Sequence, residues 1–143
     1  NLIKLPFNLK LEDVNEFGRD VATNYNFILE NVESPILKWC MSTIKKAKVF
    51  NLVHFANENN LPIYKEDIAK KLPEYSYKTI ATIVDEGIEK GYYVAMDPYQ
   101  KNVSDKKIKN IRPSVELIVE FLNWSIDRIR SNNELVKKYN KKS

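Results

Sequence analysis

The 143-residue sequence is poor in the residues that build most catalytic and metal sites. It has one cysteine, one histidine and three glycines. A single cysteine excludes an internal disulfide and fits a reducing compartment. One cysteine and one histidine cannot supply the ligands of a typical zinc site, and three separate glycines cannot form a glycine-rich phosphate-binding loop. With no nucleophilic triad or carboxylate cluster either, the sequence predicts no metal, no cofactor and no enzymatic activity.

The sequence also lacks a long apolar run. No stretch approaches the ~20 apolar residues that a helix needs to cross a bilayer, so we expect no membrane partner. Apolar residues make up 43% of the chain and charged residues 29%, which is typical of a globular protein. We expect residues 1–143 to form a single domain.

The net charge of +4 is modest, but the charges are segregated along the chain. Residues 11–34 contain six acids and one base, whereas residues 97–112 contain five bases and two acids. A polyanion would be repelled by the first segment and attracted to the second. For any single lysine a solvated surface position is the commoner case, so charge alone does not establish a binding site.

Apolar spacing and capping signals predict five helices. They are expected at residues 12–32, 34–56, 64–72, 76–90 and 114–140. Ser34 followed by Pro35 marks the start of the second helix, whose apolar residues cover more than one stripe. We therefore expect the 34–56 helix to be the most buried one.

After Gly91 the pattern changes to that of a hairpin. "YYVAM" predicts one strand, residues 107–111 predict a second, and the loop between them is basic. Lys107, Lys109 and Arg112 are expected to face outward. We expect one small sheet, formed by this hairpin with residues 62–63 beside it.

The last helix has two apolar faces, which require two different partners. One face carries Val115, Ile118, Leu122, Ile126 and Ile129, and the other carries Leu117, Phe121, Trp124, Leu135 and Tyr139. We expect one face to join the core of the chain. The other is expected to contact a second subunit.

A short helix, a turn, a longer capped helix and a hairpin together form the outline of a winged helix-turn-helix. In that arrangement the second helix enters the DNA major groove at its N-terminal end. The candidate DNA-binding residues are Ser76, Lys78, Thr79 and Thr82 on that helix and Lys101, Lys106, Lys107 and Lys109 on the wing. The acids Asp85, Glu86 and Glu89 would be repelled by phosphate, so we expect them where the helix leaves the groove.

The segment "EDIAKKL…YSYKTIATIVDEGIEKGYYV" resembles the DNA-binding region of the MarR family of winged helix-turn-helix transcriptional regulators. "SDKKIKNIRPS" looks like that family's wing, in which an aspartate is followed two residues later by an arginine. The corresponding pair here is Asp105 and Lys107, and lysine keeps the charge but lacks the planar guanidinium. The resemblance implies a DNA-binding core at 34–112 and homodimerisation through 12–32 and 114–140. It also implies pseudo-palindromic operators and, as in many members, a small-molecule or oxidant effector.

We therefore expect a mainly α-helical, cytoplasmic, nucleoid-associated regulator that binds double-stranded DNA with some sequence preference, as a homodimer. The alternative is a winged-helix protein–protein interaction module that does not bind DNA directly. The exposed face of the 76–90 helix has no Arg, Asn or Gln, the residues that make most bidentate base contacts. Methyl contacts from Thr79 and Thr82, or a contact from Tyr77, would then contribute the preference, although Tyr77 projects toward the apolar side.

Four other residues have a functional and a structural interpretation. Tyr92 and Tyr93 could stack on single-stranded bases, but aromatics at a strand start more often cover a core. His54 is expected to be a core or boundary residue. Cys40 is either an oxidant sensor or, more commonly for such a position, a small buried hydrophobic residue.

Overall fold

The computed structural model describes residues 2–4, 8–30, 32–96 and 110–141. Within them it has six helices and four short strands, in the order β1 (Leu2–Lys4), β2 (Asn8–Lys10), α1 (Leu11–Glu30), α2 (Pro35–Cys40), α3 (Ile44–Glu58), α4 (Lys65–Lys71), α5 (Tyr77–Glu89), β3 (Tyr93–Met96), β4 (Asn110–Pro113) and α6 (Val115–Asn140). The prediction of a mainly helical protein with a small antiparallel hairpin is confirmed. The chain divides into two compact units, Asn1–Glu33 with Phe121–Ser143 (unit 1) and Ser34–Glu120 (unit 2).

The predicted 34–56 helix is two helices. Helix α2 begins as expected, since Ser34 Oγ accepts a hydrogen bond from the Leu37 amide at 3.4 Å and Pro35 follows the cap. It ends at Cys40, and α3 begins after Thr43, whose Oγ1 accepts from the Lys46 amide at 3.1 Å. The prediction of one helix was wrong because the apolar pattern continues across the break. The signal for a new helix in the sequence is a single capping hydroxyl, that of Thr43.

The core of unit 2 lies between α2, α3, α4, α5 and the β3–β4 hairpin. Its buried side chains include Leu37, Val49, Phe50, Val53, Ile68, Ile80, Val84, Tyr93 and Ile111. Helix α3 contributes one face to this core. Its other side is in solvent, where Ile44 is 72% exposed and Phe55 is 61% exposed.

Strands β3 and β4 form the predicted hairpin, with Val94 opposite Arg112 and Ala95 opposite Ile111. The second strand occupies Asn110–Pro113 rather than the predicted 107–111. The predicted neighbour at residues 62–63 is attached to β4, because Ile63 O accepts from the Ile111 amide at 2.8 Å and Asn110 Oδ1 accepts from the Ile63 amide at 3.0 Å. The expectation of a single sheet was wrong, since β1 and β2 pair as a second one.

Unit 1 is built from the β1–β2 hairpin, α1 and the C-terminal part of α6. Leu9 and Tyr139 are fully buried, and the Phe17 ring stacks on Tyr139 with centroids 4.6 Å apart. Asp20 accepts hydrogen bonds from both Lys138 and Tyr139, and Asn24 Nδ2 donates to Asn132 Oδ1 at 3.1 Å. These pairs align α1 and α6 antiparallel.

Helix α6 begins after Ser114, whose Oγ accepts from the Leu117 amide at 3.1 Å, and Pro113 belongs to β4 rather than to the helix start. The two predicted apolar faces differ in burial. Leu117 and Tyr139 are fully buried, and Phe121, Trp124 and Leu135 are half-buried. On the other face, Val115, Leu122, Ile126 and Ile129 are 45–76% exposed. The chain itself thus covers one face and leaves the other in solvent.

Two helical glycines allow a stability prediction with an internal control. A Cβ at Gly87 would overlap the Tyr93 ring and lie 3.1 Å from Trp39 Cη2, whereas a Cβ at Gly18 would meet nothing within 4 Å. We expect Gly87→Ala to lower the free energy of unfolding by about 1–3 kcal/mol through overpacking. Gly18→Ala should raise it by up to ~1 kcal/mol through helix propensity. Urea denaturation measures both, and equal shifts would contradict the close packing at Gly87.

Candidate nucleic-acid interface

The predicted recognition residues lie on the first turns of α5. Ser76 Oγ accepts from the Thr79 amide at 3.1 Å and lies 3.0 Å from Thr79 Oγ1. The Thr82 hydroxyl donates to Lys78 O at 2.8 Å. Ser76, Lys78 and Thr82 are exposed and Thr79 is half-buried. Because the Thr82 hydroxyl already donates its proton to a backbone carbonyl, the side chain can offer an external ligand only an acceptor oxygen and a methyl group.

Three of these residues border a surface depression shared with the start of α3. The depression has a volume of about 350 Å³ and is lined by Thr43, Lys45, Lys46, Lys78, Thr79, Thr82 and Ile83. We call it the lysine–threonine depression. It brings together the N-terminal turns of two helices, whose free amides favour anions, with three lysines and the hydroxyls of Thr43 and Thr79. Phosphate oxygens accept hydrogen bonds from donors of these kinds.

The lysines of the depression differ in how far their charge is neutralised. Lys46 Nζ lies 3.9 Å from Glu86 Oε1 and 4.9 Å from the centre of the Trp39 ring. Lys45 Nζ lies 5.6 Å from the centre of the Tyr75 ring. Among the described residues, neither Lys45 nor Lys78 has an acidic partner. These two lysines are therefore the strongest candidates for binding an external anion.

Their position on the helices adds a second argument. Neither α3 nor α5 has an acid in its first turn, although acids are favoured there by the helix dipole and lysines are not. Lys45 and Lys46 were not among the predicted DNA-binding residues, because the sequence pattern placed both in the middle of one long helix. The sequence signal that could have identified them is "TIKKAK", in which lysines lie in the first turn after a capping threonine.

The acids on the second half of α5 have partners within unit 2. Asp85 Oδ1 lies 2.5 Å from Lys65 Nζ, and Glu86 Oε1 accepts from Trp39 Nε1 at 2.6 Å. Two of the acids that the sequence placed away from phosphate therefore fix α5 against α4 and α2. The result is a helix with cations at its start and paired carboxylates further along.

The predicted wing lysines Lys101, Lys106, Lys107 and Lys109 lie outside the described residues, as does Asp105. At the base of the hairpin, Arg112 was predicted to face outward. It is half-buried, and its Nη1 donates to Asn57 Oδ1 at 2.9 Å. That interaction joins β4 to the end of α3, so Arg112 has a structural role here.

The aromatic residues near the depression divide into exposed and core positions. Tyr77 is 48% exposed and its hydroxyl donates to Glu66 Oε1 at 3.4 Å, so its assignment to the core was wrong. Tyr93 is 1% exposed. Tyr92 is half-buried and packs edge-on against Trp39 with centroids 5.5 Å apart. Tyr93 thus covers the core, as the commoner interpretation predicted.

The surroundings of Cys40 and His54 favour structural roles for both residues. Burial raises the pKa of the Cys40 thiol to about 12, and nearby Lys46 lowers it to a smaller extent. The thiol is therefore neutral near pH 7, which favours the buried hydrophobic residue over an oxidant sensor. The half-buried His54 ring stacks on Phe50, with Nδ1 3.9 Å from Glu58 Oε1. No group of three or more His, Cys, Asp or Glu in the described residues is arranged to hold a metal ion.

The buried thiol predicts a specific alkaline instability. The pKa of Cys40 rises from 9.0 to about 12 on folding, so its contribution to stability is complete below pH 9 and is lost as the pH rises toward 12. In that window the free energy of unfolding should fall by up to about 1.4 kcal/mol per pH unit from this group. Cys40→Ala should reduce the slope. Tyr93 and Tyr139, whose pKa burial raises, and Lys138, whose pKa is raised by its hydrogen bond to Asp20, contribute to what remains. Parallel pH curves in urea denaturation would contradict the prediction.

Compared with protein-family models, with curated proteins and with solved structures, the chain gives no match. None of the helices described by the structure is long and apolar enough to cross a membrane.

Proposed function

We propose that this chain is a winged helix-turn-helix regulator of transcription that binds double-stranded DNA as a homodimer. The observation that carries the proposal is the lysine–threonine depression, in which two helix N-termini and three lysines converge on one concave surface. The order α4, turn, α5 and hairpin supports it, as does the resemblance of residues 66–114 to the MarR family. A neutral protein partner would need neither the convergent amides nor the lysines.

The proposal gives each part of the surface a role. The start of α5 enters the major groove, where Lys78 and Thr82 approach base edges and phosphates. Lys45 contacts the phosphate backbone from the start of α3, and Lys46, whose charge Glu86 partly offsets, contributes less. The wing lysines Lys101, Lys106, Lys107 and Lys109 contribute further phosphate or minor-groove contacts. Since no Arg, Asn or Gln lies on the exposed face of α5, base readout is limited to contacts such as a threonine methyl with thymine.

The exposed apolar faces of α1 and α6 support the homodimer. On α1, Val21, Tyr25 and Leu29 are 44–61% exposed, and on α6 the exposed face includes Leu122 and Ile126. Contiguous apolar surface of this kind marks protein interfaces. A dimer would present two depressions to two half-sites of an operator. A small-molecule effector, implied by the resemblance alone, has no assigned site.

Titration of the protein with mixed genomic duplex fragments at physiological salt tests the function. We expect some fragments to bind about ten-fold or more tightly than bulk DNA. Thr82→Ala should change the ranking of fragments while leaving the salt dependence unchanged, because it removes a base contact and no charge. Thr23→Ala, an exposed threonine on α1, is the matched control. Binding no tighter than to bulk DNA, with Thr82→Ala behaving like Thr23→Ala, would favour the interaction-module alternative.

A further inference from the structure

Helix α3 has an apolar outer face that the chain does not cover. Ile44 and Phe55, at opposite ends of the helix, are 72% and 61% exposed. Lys48, Asn51 and Leu52 lie between them at three- and four-residue spacing, on the same side of the helix. The opposite side, with Val49 and Val53, is fully buried in the core. The outer face of α3 therefore presents Ile44 and Phe55 to solvent, and the described residues leave most of both side chains uncovered.

Two depressions lie along this face. One, of about 410 Å³, is lined by residues that include Ile44, Ala47 and Leu72. The other, of about 310 Å³, includes Phe55, Leu61 and Ile63. Both are bordered by Leu52, so they are neighbours on the surface of α3 and α4, and we call the two together the α3–α4 groove. From Ile44 to Phe55 it is about 16 Å long, since a helix rises ~1.5 Å per residue.

The rim of the α3–α4 groove is positively charged. Lys70 and Lys71 border its deeper end, and neither has an ion-pair partner in the described part of the chain. The one acid at this end, Asp67, already accepts a hydrogen bond from the Tyr64 amide at 3.0 Å. Lys48, at the other end, is 3.5 Å from Glu74. The uncompensated charge therefore lies beside Phe55 and Leu61.

We propose that the α3–α4 groove binds an acidic amphipathic helix of a partner protein. Two neighbouring apolar depressions spread over about three helical turns fit a helix that inserts apolar side chains at positions i, i+4 and i+7. Acidic residues flanking those anchors would pair with Lys70 and Lys71, and a basic helix would be repelled. Lys45 and Lys46 of the lysine–threonine depression project from other sides of α3. The groove can therefore be occupied whether or not the depression binds DNA.

The test is a selection from a displayed library of helical peptides of roughly 14 residues, with the full chain immobilised. We expect enriched peptides to carry Leu or Phe at i, i+4 and i+7 flanked by Asp and Glu. An enriched peptide, made with a fluorescent label, is then titrated with variants. Phe55→Asp should weaken its binding about ten-fold or more. Lys70→Glu with Lys71→Glu should weaken it and flatten its dependence on salt.

Val94→Asp is the control, because Val94 is also an exposed apolar residue, 42% exposed on β3, but lies outside the groove. It should bind the peptide like the wild type. Phe55→Ala provides the same test without a new charge, and circular dichroism confirms that the variants fold. No enrichment, enrichment of basic peptides, or equal effects of Phe55→Asp and Val94→Asp would overturn the proposal. Loss of self-association in Phe55→Asp would instead assign the groove to a second copy.

Discussion

Replacing Lys45 and Lys78 together by alanine is expected to weaken DNA binding by about 30- to 1,000-fold. The estimate follows from two charge-assisted contacts, each contributing about 1–2 kcal/mol. Each lost phosphate contact also removes one counterion-release term, so the slope of log K against log salt should decrease by about 1.8 in total. Both effects should appear on every duplex sequence, because phosphate contacts carry no base information.

The chain contains a matched control for this charge change. Lys70 and Lys71 are exposed, have no ion-pair partner among the described residues, and lie on α4 away from the depression. Lys70→Ala with Lys71→Ala removes the same net charge and should change the affinity by less than about three-fold through long-range attraction alone. Fluorescence anisotropy over a salt series measures both variants. Equal losses in the two would show that DNA responds only to net charge.

The depression variants should remain folded. Lys45 contacts the Tyr75 ring at 5.6 Å, and such an exposed cation–π contact contributes about 0.5–1 kcal/mol. Lys78 makes no side-chain hydrogen bond among the described residues. Lys46 is a weaker choice for the test because it contacts Glu86 and Trp39. Its removal would leave the Glu86 carboxylate without a nearby positive charge from this lysine.

The features predictable from sequence were those set by local chemistry. Ser34, Ser76 and Ser114 each cap a helix near its predicted start, because a capping hydroxyl bonds an amide three residues away. Gly91, with φ +79°, ends α5 for a similarly local reason. Thr43 caps α3 in the same way, but this cap was not predicted because the apolar pattern continues on both sides of it. The strands β1 and β2, at three residues each, are too short to show alternation.

The candidate site required information that local patterns do not contain. Lys78, Thr79 and Thr82 could be placed on one helical segment from spacing alone. Their neighbours Lys45 and Lys46 come from a helix more than thirty residues earlier, and only the packing of α3 against α5 brings the two together. The exposed outer face of α3 is a similar case, since an apolar pattern that covers more than one stripe predicts burial without saying which partner provides it.

Helix α6 shows how far a pattern alone can determine an assembly. Its two apolar faces were predicted, and the structure buries the face of Leu117 and Tyr139. The remaining face is as apolar but is left in solvent, with Leu122 49% and Ile126 45% exposed. Full burial of an exposed side chain of this size contributes about 1.5–3 kcal/mol, so each of these half-exposed ones would contribute about half of that. Several of them along a single helix would drive association of two copies.

Leu122→Glu with Ile126→Glu is therefore expected to convert a dimer to a monomer. Wild-type protein at micromolar concentration should sediment at twice the 16.8 kDa of one chain, and the double variant at the mass of one chain. Burying a glutamate against the partner would cost several kcal/mol, because the carboxylate would have to be desolvated or protonated. The native fold should survive, since both side chains are already exposed in one chain.

DNA binding should report the same change. A dimer holds its second half-site contact at high effective concentration, so the monomer should lose about 10²-fold or more in affinity for a palindromic site. It should lose far less for an isolated half-site. Asn123→Glu adds a single charge at an exposed position between the two apolar faces, and it should leave both mass and affinity close to wild type. A wild-type chain that sediments as a monomer would overturn the proposed homodimer, whereas a double variant that stays dimeric would remove α6 from the proposed interface. In that second case the acidic helix α1 would be the next surface to substitute.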